Sequence, residues 1–194
     1  MATALDLSLR FGQRQAVTAT PAMQRSDDAG LVAAARGGDR AAFGQLYERY
    51  VRMVHGILLT RVPPGEAADL VHDVFLAALR QLHTLRQDGA FGGWLAMITR
   101  NRATDYHRRS TEKVELPEDM GRNDPPGAEA NAVLRVVQSL PDAYREPLIL
   151  RLVEGMTGPE IAARTGLTPG SVRVNLHRGM KMLREKLEWS QGHE

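Results

Sequence analysis

The sequence contains no cysteine, which excludes both a disulfide framework and a thiolate zinc site. No apolar run approaches the length that spans a bilayer, and the first residues lack the apolar core of a secretory signal, so a cytoplasmic location is expected. Alternating apolar and polar residues, the mark of a half-buried strand, are missing at any useful length. Net charge is almost missing too: 25 basic against 23 acidic residues leave +2 over 194 residues. What remains is an all-α chain with room for one large domain or two small ones.

The small net charge hides a segregation. Residues 100–109 hold four Arg against Asp105 alone, for +3, and residues 173–186 hold five cations against Glu185 alone, for +4. Between them, residues 112–129 hold six acids against Lys113 and Arg122, for −4. Two basic patches on either side of an acidic tether suggest two contacts with nucleic acid. Nearly all of the positive charge is Arg, the side chain suited to bidentate phosphate and guanine contacts.

The second patch lies in a readable local structure. Thr157-Gly158-Pro159-Glu160 is a capping box, in which the Thr hydroxyl accepts the N3 amide and Glu160 reaches back to the cap. Pro159 falls in the first turn, where its missing N–H costs nothing. Ile161 to Thr165 complete a short helix, Gly166 supplies a left-handed end, and Leu167 plugs the turn. Thr168-Pro169-Gly170-Ser171 then opens a second helix with its own N-cap. Along it Val172, Leu176 and Leu183 face inward, leaving Arg173, Asn175, His177, Arg178 and Lys181 outside. That is a helix-turn-helix whose second helix offers cations to a major groove. A charge run is more often only a solvated helix face. Two capped helices around a Gly turn argue against that plainer reading.

Further organisation follows from periodicity. Residues 1–26 show none and read as a disordered leader. A short helix is expected over Asp28–Arg36, broken at Gly37-Gly38, with Asp39 capping the next. Helical stripes follow from Phe43 to Leu58, from Leu70 to Leu82, and through Trp94, Leu95, Ile98 and Tyr106. Residues 84–93 read as a loop. Residues 110–127, with Pro117, Pro125, Pro126 and the acids, read as an extended linker. A second helical cluster starts near Ala130, and Pro147 interrupts one of its helices. The expected domains are 27–110 and 130–190, joined by a flexible acidic linker at 111–129, with the helix-turn-helix in the C-terminal one.

These segments resemble, in order and at the usual spacing, the bacterial sigma factors. Gly38-Asp39-Arg40-Ala41-Ala42-Phe43-Gly44-Gln45-Leu46-Tyr47 is similar to the opening of their first polymerase-binding domain. Asp69-Leu70-Val71-His72-Asp73-Val74-Phe75-Leu76 is similar to their docking segment. The run from Phe91 to Tyr106 resembles their promoter-melting helix, and Leu140-Pro141, Leu150-Arg151 and the helix-turn-helix resemble their C-terminal domain. Two domains with nothing between them but a linker point to the extracytoplasmic-function (ECF) subfamily.

The resemblance implies a transcription initiation factor, not an enzyme, with no cofactor and no metal. Asp69, His72, Asp73, Val74 and Phe75 would dock on the clamp helices of the polymerase β′ subunit. Here His72 replaces the usual Gln, which keeps hydrogen bonding but adds a titratable group. The loop 85–92 would capture a flipped base of the −10 element, with Phe91 and Trp94 offsetting lost stacking and Arg100, Arg102, Arg108 and Arg109 following the strand. Trp94, at its spacing, also suits a core position. Asn101 and Asp105 would contact the upstream −10 pair or neighbouring Arg. Arg151, Arg173, Val174, Asn175, His177, Arg178 and Lys181 would read the −35 element while the domain leans on the β flap. Val174 replaces a common Ser and Asn175 a common Arg, and Asn favours adenine. An anti-sigma partner, often membrane-anchored, would restrain the factor.

Two rivals belong to other classes. His55, His72-Asp73 and Asp105 follow the H…HD…D ligand order of helical metal phosphohydrolases. A stand-alone helix-turn-helix regulator would bind a duplex site tightly by itself, usually as a symmetric dimer.

Overall fold

The computed structural model describes residues 21–112 and 128–191, and every regular element in them is helical. The N-terminal half consists of α1 (Pro21–Arg36), α2 (Arg40–Leu59), α3 (Pro64–Gln81) and α4 (Phe91–Glu112). The C-terminal half consists of α5 (Ala128–Gln138), α6 (Asp142–Leu152), α7 (Gly158–Thr165) and α8 (Pro169–Gln191). An acidic linker expected at 111–129 falls mostly outside the described residues. Of the leader expected at 1–26, residues 1–20 lie outside the described residues, and helical backbone begins at Pro21.

Local chemistry sets the boundaries. Gly38, at φ 98°, turns the chain out of α1, and the Asp39 carboxylate accepts the amides of Ala41 and Ala42 at 2.8 and 3.1 Å. Pro64 occupies the first turn of α3, where no donor is needed. The stretch expected as a loop at 84–93 is tighter than that. Two 3₁₀ turns, Leu82–Thr84 and Asp88–Ala90, lead into α4, which takes in Gly92 and Gly93. Gly92 here serves close approach instead of a turn, since a Cβ on it would lie 2.5 Å from the Arg164 carbonyl oxygen.

The core of the N-terminal half forms around α2, which buries Leu46, Met53, Val54, Ile57 and Leu58 completely. Val71, Val74 and Phe75 from α3 and Leu95 and Ala96 from α4 close over it. A polar strut ties α1 to α2: the Tyr50 hydroxyl donates to buried Asp28 at 2.6 Å, and Arg49 donates to the same carboxylate at 2.8 Å. Burial, then the Asp28 charge, pushes the Tyr50 phenol far above its usual range, so it stays a donor at any working pH.

The capping box is present: Glu160 accepts the Thr157 amide at 2.7 Å, and the Thr157 hydroxyl accepts the Glu160 amide at 3.4 Å. Burial works against the Glu160 carboxylate. The Thr157 hydrogen bonds, with Arg164 and Arg52, outweigh it and hold its pKa below the usual value. Gly166 adopts the left-handed conformation at φ 78°. Leu148, Ile149, Leu150, Ile161 and Val172 carry the same buried apolar cluster on into the C-terminal half. Pro147 is buried within α6 and removes the bond that would reach the carbonyl of Ala143, an exposed residue near the first turn.

Helices α6 and α8 cross unusually closely at Gly179. A Cβ there would lie 2.9 Å from Leu148 Cδ1 and 3.1 Å from Tyr144 Cβ. Gly179→Val is therefore expected to destabilise the chain by about 1–3 kcal/mol, the cost of overpacking a filled core. A urea unfolding midpoint equal to that of the parent would contradict this crossing.

Candidate nucleic-acid interface

The exposed face of α8 carries most of the side chains expected to face a groove. The Thr168 hydroxyl accepts the Ser171 amide at 3.1 Å and fixes the start of the helix. Val172 and Leu183 are buried and Leu176 is half-buried against the core. Arg173, Val174, His177, Arg178 and Lys181 are exposed, as the spacing requires. Lys181 is 3.9 Å from Glu185 in an exposed i,i+4 pair that contributes little to stability. Asn175 departs from expectation. It is half-buried beside Leu176 instead of fully outside, because it stands three residues after buried Val172 and four before buried Gly179, at the edge of the inward stripe. Arg151 is exposed in the last turn of α6 and donates to the Met156 carbonyl at 3.1 Å, bracing the turn before α7.

The second basic surface is on α4. Asn101, Arg108 and Arg109 are exposed, and Arg102 and Asp105 are half-exposed, with Arg108 3.4 Å from Asp105. Arg100 is different. Its guanidinium is held by Glu146 of α6 through bonds of 2.8 and 2.9 Å, and this carboxylate raises its pKa further. The two aromatics exchange the roles expected of them. Phe91 is buried, 1% exposed, with its ring centroid 5.2 Å from that of Tyr50. Trp94 is only half-buried, 5.8 Å from Phe91. Phe91 is thus core and not a base-stacking surface, and Trp94 is the aromatic left within reach of solvent. Position in the motif could not distinguish them, since both lie on one side of the same helix.

The α3 segment is corrected in the same way. Asp69, His72 and Asp73 are exposed, but Val74 and Phe75 point into the core, Phe75 against Tyr47 at 4.5 Å and Phe43 at 6.4 Å. The apolar groups beside the charged ones on the outer face are Leu76 and Leu79, 51% and 46% exposed. Leu76 falls opposite Val71 and Ala78, so its exposure could have been read from the stripe, whereas Leu79, one turn from Phe75, belongs to the stripe by period and is left open at its edge.

The ligand order His55, His72-Asp73, Asp105 is not assembled. His55 Nδ1 is 2.9 Å from Glu154, and among the described residues no group of three or more His, Asp or Glu is placed to hold a metal. Among them, too, no helix is long and apolar enough to cross a membrane.

A capped helix-turn-helix with a basic second helix, in one chain with a second basic helix, fits a DNA-binding protein. Its relatives fit that class. Residues 46–112 match the family model for sigma-70 region 2, and residues 130–183 match that for sigma-70 region 4. The RNA polymerase sigma factor CarQ of Myxococcus xanthus is 33% identical over 161 residues, which cover 78% of this chain and 92% of that protein. The ECF RNA polymerase sigma-E factor of Escherichia coli K12 is 28% identical over 180 residues, 81% of this chain and 93% of that protein. A solved structure of CnrH in complex with the cytosolic domain of CnrY superimposes with a TM-score of 0.60 at 29% identity, covering 83% of this chain and 97% of that one. The chain belongs to the ECF group of sigma-70 family RNA polymerase sigma factors, and so is a promoter-directing transcription initiation factor.

Assignment of Phe91 to the core has a direct check. Phe91→Ala is expected to lower stability by about 3–5 kcal/mol, as for other buried aromatics. A variant with parental stability and impaired promoter opening would return Phe91 to the DNA-facing set.

Proposed function

We propose that the two helical units divide promoter recognition between them, the C-terminal unit reading the −35 element and the N-terminal unit docking on core polymerase and opening the −10 element. The observation that carries this is the pairing of an outward-facing basic α8 with a second basic helix, α4, whose own unit also presents a charged and apolar outer face on α3. On α3, Asp69, His72 and Asp73 form the charged part of the surface for the β′ clamp helices. Leu76 and Leu79 supply its apolar part in place of the buried Val74 and Phe75. On α4, Trp94, Arg100, Asn101, Arg102, Asp105, Arg108 and Arg109 line the path of the opened strand, where cations follow phosphates and an aromatic ring stacks on a base.

On α8, Arg173, His177, Arg178 and Lys181 supply phosphate and base contacts, with Arg151 alongside from α6. Val174 would touch a thymine methyl, and Asn175 would pair with adenine N6 and N7. The chain performs no catalysis of its own; polymerase does the chemistry. It works in the cytoplasm, where an anti-sigma protein restrains it by covering the polymerase-binding faces. Support for that partner comes from the likeness to CnrH, whose solved structure is a complex with CnrY.

Run-off transcription tests the reading as a whole: core polymerase with this protein should initiate on genomic promoters that core alone ignores. Equal initiation with and without the protein would overturn it. The base-reading role of Asn175 has its own test. Asn175→Arg should shift preference from adenine to guanine at one −35 position, by roughly ten- to hundred-fold for a good bidentate contact. The −10 preference should not move. Promoters selected from a randomised −35 pool by the two holoenzymes should therefore differ at that position, and an unchanged motif would leave Asn175 a phosphate contact only.

A further inference from the structure

The segment ahead of α4 is held from outside itself. Leu82, Leu85 and Phe91 are buried and anchor it to the core, while Arg86, Gln87, Gly89 and Ala90 are exposed. Its own backbone closes only two short turns. The Leu85 amide donates to the Leu82 carbonyl at 3.2 Å, and the Ala90 amide to the Gln87 carbonyl at 2.9 Å. A 3₁₀ turn this short leaves carbonyls without an internal partner. The Leu85 carbonyl finds its partner on α1, 49 residues earlier in the chain. Arg36 Nη2 donates to it at 2.9 Å, and the same nitrogen donates to the Asp88 carboxylate at 2.8 Å. One atom thus ties the loop on both sides of Arg86 and Gln87.

Helix α1 can serve as a brace because it is itself fixed. Its Asp28 accepts from the Tyr50 hydroxyl and from Arg49 of α2, and Tyr50 packs on Phe91, where the loop enters α4. The last turn of α1 packs on the Asp88–Ala90 turn. A closed circuit results: α2 to α1 through Asp28, α1 to the loop through Arg36, and the loop back to α2 through Phe91. The Arg36 link lies at the rim, with the side chains of Arg36 and Asp88 36% and 28% exposed. An ion pair that open to water adds little to global stability. Its effect falls on the loop, since a segment with few buried contacts opens separately from the rest of a fold.

We propose that Arg36 is a positioning residue for base discrimination in the −10 element, holding Arg86 and Gln87 in the arrangement that receives a base drawn out of the duplex. This rests on the reading, given above, that the N-terminal unit opens that element. The loop runs directly into α4, so its exposed tip lies at the N-terminal end of the path that α4 offers the strand. Arg and Gln can each make paired hydrogen bonds to a base edge, and an extruded base is read by such bonds. Discrimination requires that the donors stay where they are. A loose tip adjusts to several bases, whereas a tip tied on both sides suits one. Arg36 acts through the loop, and this separates it from the α4 cations. Loss of a cation that follows phosphates weakens binding to all sequences alike and lowers the salt slope. Loss of Arg36 should narrow the difference between bases instead.

Two substitutions at one position test this. Arg36→Met keeps an unbranched stem without donors, and Arg36→Lys restores a single nitrogen able to make both bonds. In the free full-length chain, amide hydrogen exchange over residues 84–90 should be several-fold faster in Arg36→Met and return to the parental rate in Arg36→Lys, with α2 and α8 unchanged. In holoenzyme, initiation is then compared on promoters carrying each of the four bases at every −10 position. The ratio between preferred and disfavoured bases should fall several-fold in Arg36→Met and recover in Arg36→Lys, at an unchanged −35 preference and salt slope. Parental discrimination in Arg36→Met overturns the proposal, as does unchanged exchange in the loop. An equal loss on all four bases with a lower salt slope also overturns it and makes Arg36 a phosphate contact. If the parent holoenzyme initiates no better than core alone, the promoter reading falls and takes the base-reading role with it, while faster exchange in Arg36→Met would leave the tie itself standing.

Discussion

Helix α2 is buried on more sides than an amphipathic helix needs to be, and the remaining elements are arranged by that. Its stripe of Leu46, Tyr50, Met53, Val54, Ile57 and Leu58 gathers α1, α3 and α4. Its far side, at Arg52, His55 and Gly56, receives α6 and the turn that follows it. One side is apolar and fixes the core of its own half, since separating those surfaces would expose apolar area at about 25 cal/mol per Å². The other joins the polar contacts of Arg52 and His55 with Glu154 to a gap at Gly56 that Leu150 and Ile149 enter, so apolar packing continues from one half into the other.

Much of the molecule was legible in the sequence where a local rule has a single structural solution. A Thr three residues before Glu, a Pro beside that Glu and a Gly nine residues after the Thr leave little besides a capped short helix with a left-handed end, and Thr157, Glu160 and Gly166 take up those conformations. The inward set on α8 follows from period alone. Less was legible where two structures satisfy the same pattern. Val74 and Phe75 stand in a docking segment and in a hydrophobic stripe at once. Motif position placed them on the surface, and packing against Tyr47 and Phe43 places them inside. Phe91 and Trp94 pose the same ambiguity, resolved by Tyr50, a residue forty positions away in the chain.

The seam between the two halves was not legible at all. Periodicity reports that a face is buried, never against which partner, and Glu146 and Glu154 stand in no motif. Gly56, Gly92 and Gly179 are the signals that could have been used. Each is a glycine within a helical stripe, where it weakens the helix unless something approaches closely. Read that way, the three positions mark the close crossings of α2 with α6, α4 with α7, and α6 with α8.

Gly92 carries a consequence for how such chains diversify. Its neighbour across the seam is a backbone carbonyl, which no rotamer change can move aside. Every other residue type at that position is therefore a commitment to a chain whose halves do not meet there. Alanine at 92 would meet the Arg164 carbonyl oxygen at 2.5 Å, so a lineage that acquired it would have to shift the α7 backbone away from α4.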